Sequence, residues 1–397
     1  MGPSIIFDKS AIQSFSENEI LILTKYFYLN VTPVLINEII GDLSKDSNDE
    51  AMNRKKVIFL ANKLSPTSSA VNSHYTSLIY HELNGGRIPM NSFRPMVKAN
   101  NEFRDKDGKK GVLIVQSEFE FAIEKWKTGR FSVEDEIFSK LWRQNLKKID
   151  LEKFKDIFKG FKNLVPKAKD LKELSNKVDN ILERKYNQAK ILELALNMLG
   201  IDRMSKTMIV SRWHKYFRQD ILNYAPYTFY CFRLLLIFSL AILNNLIGVR
   251  PTNLIDLEYL FYLPFCRIFT SDDKVHRNLV PYLLHSEQDF IEGKSLKSAL
   301  SRISAEWNNL PDSDRIEIWE KKYGFNTPFK DSVIQKFLDK LYNSDMKGPK
   351  IDELDPNLKD VDMIIHKKRI SIYALCPCGS GKKFKDCHYE EYLDKNK

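Results

Sequence analysis

The chain is 397 residues long, with 43% hydrophobic and 29% charged residues, the usual balance for a protein with a sizeable folded core. Its formal net charge of +10 favours contact with nucleic acid or another polyanion. No secretory signal opens the sequence, and the longest apolar run, Leu234–Leu243, is about half the length that a bilayer requires. Cys231 and Cys266 are interpreted as small apolar core residues, so we expect a cytoplasmic protein without a membrane partner.

The first 60 residues alternate short β-like runs with helical ones. "SIIFD" predicts a strand that ends at Asp8, and "SENEILILTKYFYL" predicts a helix with a capping box between Ser16 and Glu19. "VTPVLI" predicts a second strand, and "NEIIGDL" predicts the start of a second helix. Strands that alternate with helices in this order predict a parallel α/β sheet.

The middle of the chain, residues 61–229, has few β-like runs and predicts a mainly helical insertion. Within it, the stretch 141–190 contains 14 lysines and arginines against 7 aspartates and glutamates. A solvated helical face accounts for this charge more simply than a specific binding surface, which remains the alternative.

The α/β pattern resumes over residues 230–345. An apolar helix at 231–243 precedes "FCRIFT", which predicts a buried strand, and a helical extension follows. A polar stretch with prolines, 346–370, predicts a linker to a small terminal module, 371–397.

The terminal module contains Cys376, Cys378, Cys387 and His388 within 13 residues. Thiolate and imidazole are preferred zinc ligands, and four local ligands predict a closed, structural Zn²⁺ site; a disulfide is the alternative. A phosphate-binding loop is excluded, because its pattern requires serine or threonine where this chain has Lys383.

The sequence "CPCGSGKKFKDCH" resembles the SEC-C motif, which occurs at the end of the bacterial preprotein translocase ATPase and on many unrelated proteins. The resemblance implies a structural zinc knuckle that docks onto a protein or ribosomal partner. Its exposed basic surface would be formed by Lys367, Lys368, Arg369, Lys382, Lys383 and Lys385.

Acidic residues accompany the predicted strands. Asp8 ends the first strand, and Glu38 begins the helix after the second. Asp256 begins a helix after "RPTNLI", while Asp272 and Asp273 follow "FCRIFT". Because active sites in parallel sheets lie at the carboxyl ends of the strands, these residues predict a site of carboxylate oxygens, which suits Mg²⁺ or Mn²⁺.

This order of acids resembles the PIN-domain nucleases, which include the toxins of toxin–antitoxin pairs. The segments concerned are "IIFDKSAI", "LINEIIGDL", "NLIDLEYLFYL" and "FTSDDK". The resemblance implies a PIN-like three-layer domain whose halves, 1–60 and 230–345, are separated by the helical insertion. It implies four catalytic, metal-binding acids: Asp8, Glu38, Asp256 and Asp273. Asp272 is the alternative to Asp273, and Asp42 could support the site.

The expected function is therefore a metal-dependent nuclease, with RNA favoured over DNA as the substrate and with Arg250 and Lys274 as candidates for contacts with the nucleic acid strand. The alternative is a non-catalytic adaptor or nucleic-acid-binding protein in which the acids have structural roles, such as Asp256 capping a helix.

Overall fold

The structure of the chain is a computed structural model. It describes residues 3–45, 49–64, 69–97, 101–104, 110–115, 117–153, 166–183, 187–217, 220–309, 311, 332–343 and 363–367.

Strands and helices alternate near both ends of the described chain, and only helices lie between β5 and β6. The strands are β1 (Ser4–Phe7), β2 (Tyr28–Val31), β3 (Ser69–Val71), β4 (Asn101–Arg104), β5 (Lys110–Val115), β6 (Ile268–Ser271), β7 (Asp289–Glu292) and β8 (Met363–Lys367). The helices are α1 (Lys9–Ser14), α2 (Glu17–Tyr26), α3 (Pro33–Ile40), α4 (Glu50–Asn62), α5 (Tyr75–Leu83), α6 (Glu118–Lys127), α7 (Val133–Lys148), α8 (Leu171–Leu182), α9 (Gln188–Met198), α10 (Arg203–Arg212), α11 (Ile221–Tyr224), α12 (Pro226–Leu243), α13 (Thr252–Leu260), α14 (Lys274–Leu279), α15 (Gly293–Asn309) and α16 (Val333–Asn343).

Five strands form a parallel sheet in the order β3-β2-β1-β6-β7. The central strand β1 pairs with β2 and β6, with Ile5 opposite both Leu29 and Ile268. All four residues of β1 are buried, as a continuous apolar run predicts for a strand covered on both faces. The chain is therefore a mixed α/β protein, and the carboxyl ends of β1 and β6 lie side by side.

The helix-start residues of α2 and α3 can be compared with the sequence predictions. Ser16 and Glu19 form the expected capping box at the start of α2. The second predicted strand, however, is displaced: β2 ends at Val31, Thr32 caps α3, and Pro33 is the first residue of that helix. A proline at this position suits a helix start, because its missing N–H would be unpaired there.

Two catalytic candidates, Glu38 and Asp256, lie at other positions in their helices than the sequence predicts. Glu38 belongs to the last turns of α3 rather than its beginning. Asp256 lies in the middle of α13 and does not cap it.

The sheet also includes a strand from the stretch expected to be a helical insertion. β3 lies within 61–229 and forms one edge of the five-stranded sheet. A second sheet, in the order β4-β5-β8, combines the antiparallel pair β4–β5 from the same stretch with β8 from the expected linker. Short β-branched runs such as "VLIV" in β5 favour strands even within a lysine-rich context.

Helix α12 is long and apolar enough to cross a membrane by length and composition, and in the described part of the chain it is the one helix with that property. Buried residues make up 78% of it, including Phe232 and Phe238 in the largest hydrophobic cluster. It packs as the core helix that its sequence predicts.

Candidate metal centre at the carboxyl end of the sheet

Asp8 is the first residue after β1 and caps α1, where its carboxylate accepts a hydrogen bond from the backbone N–H of Ala11 at 2.8 Å. Ser10 donates to both carboxylate oxygens, at 2.9 and 2.8 Å. Ser271, at the end of β6, donates to Oδ2 at 2.6 Å. A buried carboxylate with this many donors is fixed in orientation.

His276, on α14, connects Asp8 with the segment that contains Asp256. Its Nδ1 lies 2.8 Å from Ser271 Oγ and 3.6 Å from Asp8 Oδ2, and its Nε2 lies 2.7 Å from the backbone oxygen of Asp256. The single hydroxyl proton of Ser271 is donated to Asp8, so Nδ1 must carry a proton, and Nε2 must carry one to donate to a carbonyl. His276 is therefore an imidazolium in this arrangement.

His276 and Asp8 shift each other's pKa. Burial alone lowers the pKa of His276, but the hydrogen bond and charge of Asp8, followed by the charge of Asp256, outweigh burial and raise it. Burial alone raises the pKa of Asp8, but the hydrogen bond and charge of His276, with the bonds from Ser271 and Ala11, lower it overall.

Glu38 points toward the same region from α3. Its Oε2 accepts a hydrogen bond of 2.5 Å from the hydroxyl of Tyr259, one helical turn beyond Asp256 on α13. Burial raises the pKa of Glu38, the charge of Lys9 and the Tyr259 hydrogen bond oppose the rise, and the charges of Asp8 and Asp42 reinforce it.

Asp256 completes the cluster. Its pKa is raised to about 7, first by burial and then by the negative charges of Asp273, Glu38 and Asp8, while His276 opposes the rise. Each of the other three candidate acids thus lies close enough to Asp256 for its charge to disfavour ionisation there.

The tandem aspartates after β6 have different partners. Asp272 accepts a hydrogen bond from the backbone N–H of Lys294 at 3.0 Å, at the start of α15. Asp273 caps α14 through Val275 N–H at 2.6 Å, and its charge acts on Asp256. The structure therefore brings Asp273 to the cluster and directs Asp272 to a neighbouring helix.

Asp42, the expected supporting acid, is buried between two cations. Lys9 Nζ lies 2.7 Å from its Oδ2, and Arg143, on α7, pairs with Oδ1. Arg143 Nε also donates to the backbone oxygen of Gly41 at 2.8 Å. Asp42 is thus engaged in ion pairs that connect the loop after α3 with the middle of the chain.

Sequence reasoning missed His276, Tyr259 and Glu258. Glu258 accepts a hydrogen bond from the Tyr75 hydroxyl at 3.0 Å, and its pKa is raised to about 7, mainly by burial and in part by the charge of Glu38. Tyr259 follows Asp256 by three residues, a spacing that places both on one helix face. That spacing was the one signal in the sequence that could have indicated Tyr259.

The donor chemistry of this cluster suits a hard divalent ion, since it consists of carboxylate oxygens. Within the part of the chain that the structure describes, no three histidine, cysteine or carboxylate side chains are gathered tightly enough to form a ready-made metal site. Mg²⁺ commonly retains several waters and is bound directly by only one or two carboxylates, and the Mg²⁺ or Mn²⁺ site stays a prediction.

The two basic candidates lie on the surface. Arg250 is exposed and donates to Thr252 Oγ1 at 3.0 Å. Lys274 is exposed at the first position of α14, directly after Asp273.

Comparison with known proteins supports one feature of the chain. Residues 374–390 match the SEC-C motif. The expected zinc ligands Cys376, Cys378, Cys387 and His388 belong to this match and lie outside the described residues. No curated protein and no solved structure matches the chain.

Proposed function

We propose that this protein is a Mg²⁺- or Mn²⁺-dependent nuclease with a PIN-like catalytic domain, with RNA favoured over DNA as its substrate. The observation that supports the proposal is that the charges of Asp8, Glu38 and Asp273 all act on Asp256, with Asp8 and Asp273 just beyond the carboxyl ends of β1 and β6. These four residues come from separate elements, and the pKa of Asp256 is raised to about 7, first by burial and then by the negative charges of the other three. A divalent ion would relieve that repulsion.

A bound ion at this position would lower the pKa of a water molecule and neutralise developing charge on a phosphodiester. Asp8, oriented by Ser10, Ser271 and His276, and Asp256 would be its nearest holders. The carboxylate with a pKa of about 7 can also exchange a proton near neutral pH.

The parts of the chain around the acids have supporting roles in this proposal. His276 holds Asp8 and the Asp256 backbone in fixed relation, and Tyr259 holds Glu38. The net charge of +10 provides attraction for a nucleic acid strand. The SEC-C motif would supply a structural zinc knuckle that docks the nuclease onto a protein or ribosomal partner in the cytoplasm.

The test is cleavage of short labelled single-stranded RNA and DNA with Mg²⁺ or Mn²⁺. We expect Asp8→Asn to abolish cleavage, since asparagine retains the helix cap but loses the charge. Asp49→Asn is the matched control, because Asp49 also caps a helix, through Met52 N–H, and is exposed away from the cluster.

Cleavage that stays unchanged in Asp8→Asn would contradict the proposal. EDTA should stop the reaction and also remove zinc. If cleavage returns when Mg²⁺ or Mn²⁺ is added back to a Cys378→Ser protein, the reaction requires that ion and does not require the structural zinc.

A non-catalytic adaptor is the second candidate. Two observations favour it. The carboxylate oxygens of Asp8 already accept hydrogen bonds from three donors within the chain and lie next to the His276 imidazolium. Among the described residues, no three side chains are grouped closely enough to bind a metal ion together. Nucleic acid or partner binding without cleavage, with both metals present, would favour this reading.

A further inference from the structure

His74 and Tyr75 form a stacked pair of aromatic rings just beyond β3. Their ring centroids are 4.7 Å apart, with an angle of 29° between the ring planes. β3 runs parallel to β2 and ends at Val71, three residues before His74. Because all five strands of this sheet are parallel, the pair lies at the edge where Asp8 and Asp273 follow β1 and β6.

Tyr75 connects this pair to the helix that contains Asp256. Its hydroxyl donates to Glu258 Oε1, on α13, at 3.0 Å, and its backbone N–H donates to the hydroxyl of Tyr262 at 3.0 Å. Glu258 lies near enough to Glu38 for that charge to contribute to its raised pKa. The Tyr75 ring is therefore held in place beside the candidate acids.

His74 is the outer member of the pair and is half-buried. Its Nδ1 accepts hydrogen bonds from the Thr76 hydroxyl at 2.8 Å and from the Thr76 backbone N–H at 3.3 Å. Burial lowers the pKa of His74, so the ring is neutral at neutral pH and its one proton is on Nε2. Among the described residues Nε2 has no hydrogen-bond partner and is not enclosed, so this N–H faces solvent.

A neutral aromatic ring that is supported on one side and reaches solvent suits an unpaired nucleobase, which stacks on side chains of this kind. A base inside a duplex is already stacked between its neighbours and reaches such a ring only after it is flipped out. We propose that His74 stacks on an unpaired base of the substrate, so that the site takes single-stranded rather than double-stranded nucleic acid. This inference rests on the proposed function, because it assigns the substrate class of the same site. Tyr75 supports the ring from behind, and Nε2–H is available to an acceptor on the base.

The test is fluorescence anisotropy of short labelled single-stranded RNA with the full chain, in an Asp8→Asn background that binds without cleaving. Adding His74→Ala should weaken binding about 10-fold, as the loss of one stacked base predicts. His74→Phe should keep most of the affinity. Both substitutions remove the bond from Thr76 N–H, so the difference between them isolates the aromatic ring.

His214→Ala is the matched control. His214 also contacts an aromatic ring, Trp213, at 4.9 Å between centroids, but it belongs to the helical middle of the chain. This variant should bind as the background does. Circular dichroism of each variant checks that the fold is retained.

Changes in the RNA identify the base. An abasic nucleotide, placed at each position in turn, should weaken binding about 10-fold at one position. At that position His74→Ala should cause no further loss, because both changes remove the same contact. A duplex of the same sequence should bind the background and His74→Ala equally.

Cleavage by the wild-type chain is measured separately, so the two proposals fail in different ways. Binding that depends on His74 without any cleavage would contradict the nuclease and support the stacking contact. Three results would overturn the inference: equal binding by His74→Ala and His74→Phe, additive losses from His74→Ala and every abasic position, or a chain that binds no single-stranded RNA.

Discussion

Because Asp256 has a raised pKa, we expect the stability of the protein to depend on pH in an unusual way. The Asp256→Asn variant measures the contribution of this one residue. An ordinary aspartate has a pKa of 3.8, whereas Asp256 has a pKa of about 7 in the folded protein. Between these two values the folded state binds more protons than the unfolded state, so stability decreases as pH rises through this window. The loss is complete above about pH 7.

The size of the effect follows from the difference in pKa. A pKa of about 7 in place of 3.8 corresponds to about 4 kcal/mol of stability at most, and solvent screening of this partly buried carboxyl reduces the effect to about 2 kcal/mol. Asparagine has no charge to bury. In the absence of divalent ions we therefore expect Asp256→Asn to be more stable than wild type by about 2 kcal/mol at pH 8, and nearly equal to it at pH 4.

Thermal unfolding followed by circular dichroism, at pH 4 and pH 8 after EDTA treatment, measures the difference between the two proteins. Addition of Mg²⁺ or Mn²⁺ at pH 8 should raise the melting temperature of wild type, because an ion that binds only the folded state stabilises it. The same addition should raise that of Asp256→Asn far less. A variant that is no more stable than wild type at pH 8 would refute the reasoning that the charged form of Asp256 is disfavoured by burial and by the neighbouring acids.

Three further predictions concern other parts of the chain. Purified protein should contain about one zinc per chain by elemental analysis. The Cys378→Ser variant should lose this zinc and the control Ser380→Ala should retain it; full zinc in Cys378→Ser would contradict the ligand assignment. RNA binding should weaken steeply with salt, and replacing the exposed Lys147, Lys148 and Lys153 by glutamate should reduce the slope by about 0.7 per lost phosphate contact; an unchanged slope would show that these lysines are only solvated. Gly41→Ala should destabilise the protein by about 1 to 3 kcal/mol, because its Cβ would lie 2.5 Å from Trp142 Cδ1; Gly248→Ala, with no neighbour nearer than 4.0 Å, is the control in the same unfolding assay.

Local patterns in the sequence were sufficient to predict β1, the capped helix α2 and the buried strand β6, since each depends on residues adjacent in the chain. The same patterns misplaced the second strand. "VTPVLI" is rich in β-branched residues, but Thr32 and Pro33 provide a stronger helix-start signal than β propensity provides for a strand.

Long-range contacts explain what the sequence could not indicate. Strand β3 is three residues long, and its place in the sheet is fixed only by pairing with β2. The engagement of Asp42 depends on Arg143, 101 positions away. Neither partner can be recognised from hydrophobic periodicity, because that signal reports which face of an element is buried and not what it meets.

His276 shows most clearly how the candidate site depends on the complete fold. It lies only three residues after Asp273, yet its partners are Asp8, directly after the neighbouring strand β1, and the backbone of Asp256 on another helix. Asp8 and Ser271 come together because β1 and β6 pair in register, with Phe7 opposite Thr270. The imidazolium can then compensate part of the negative charge of the acids, which the fold would otherwise have to bury uncompensated. The contact of Asp8 with Ser271 and His276 is therefore created by the pairing of two strands whose residues are more than 260 positions apart. His276 then lies where its positive charge opposes that of the buried acids Asp8 and Asp256.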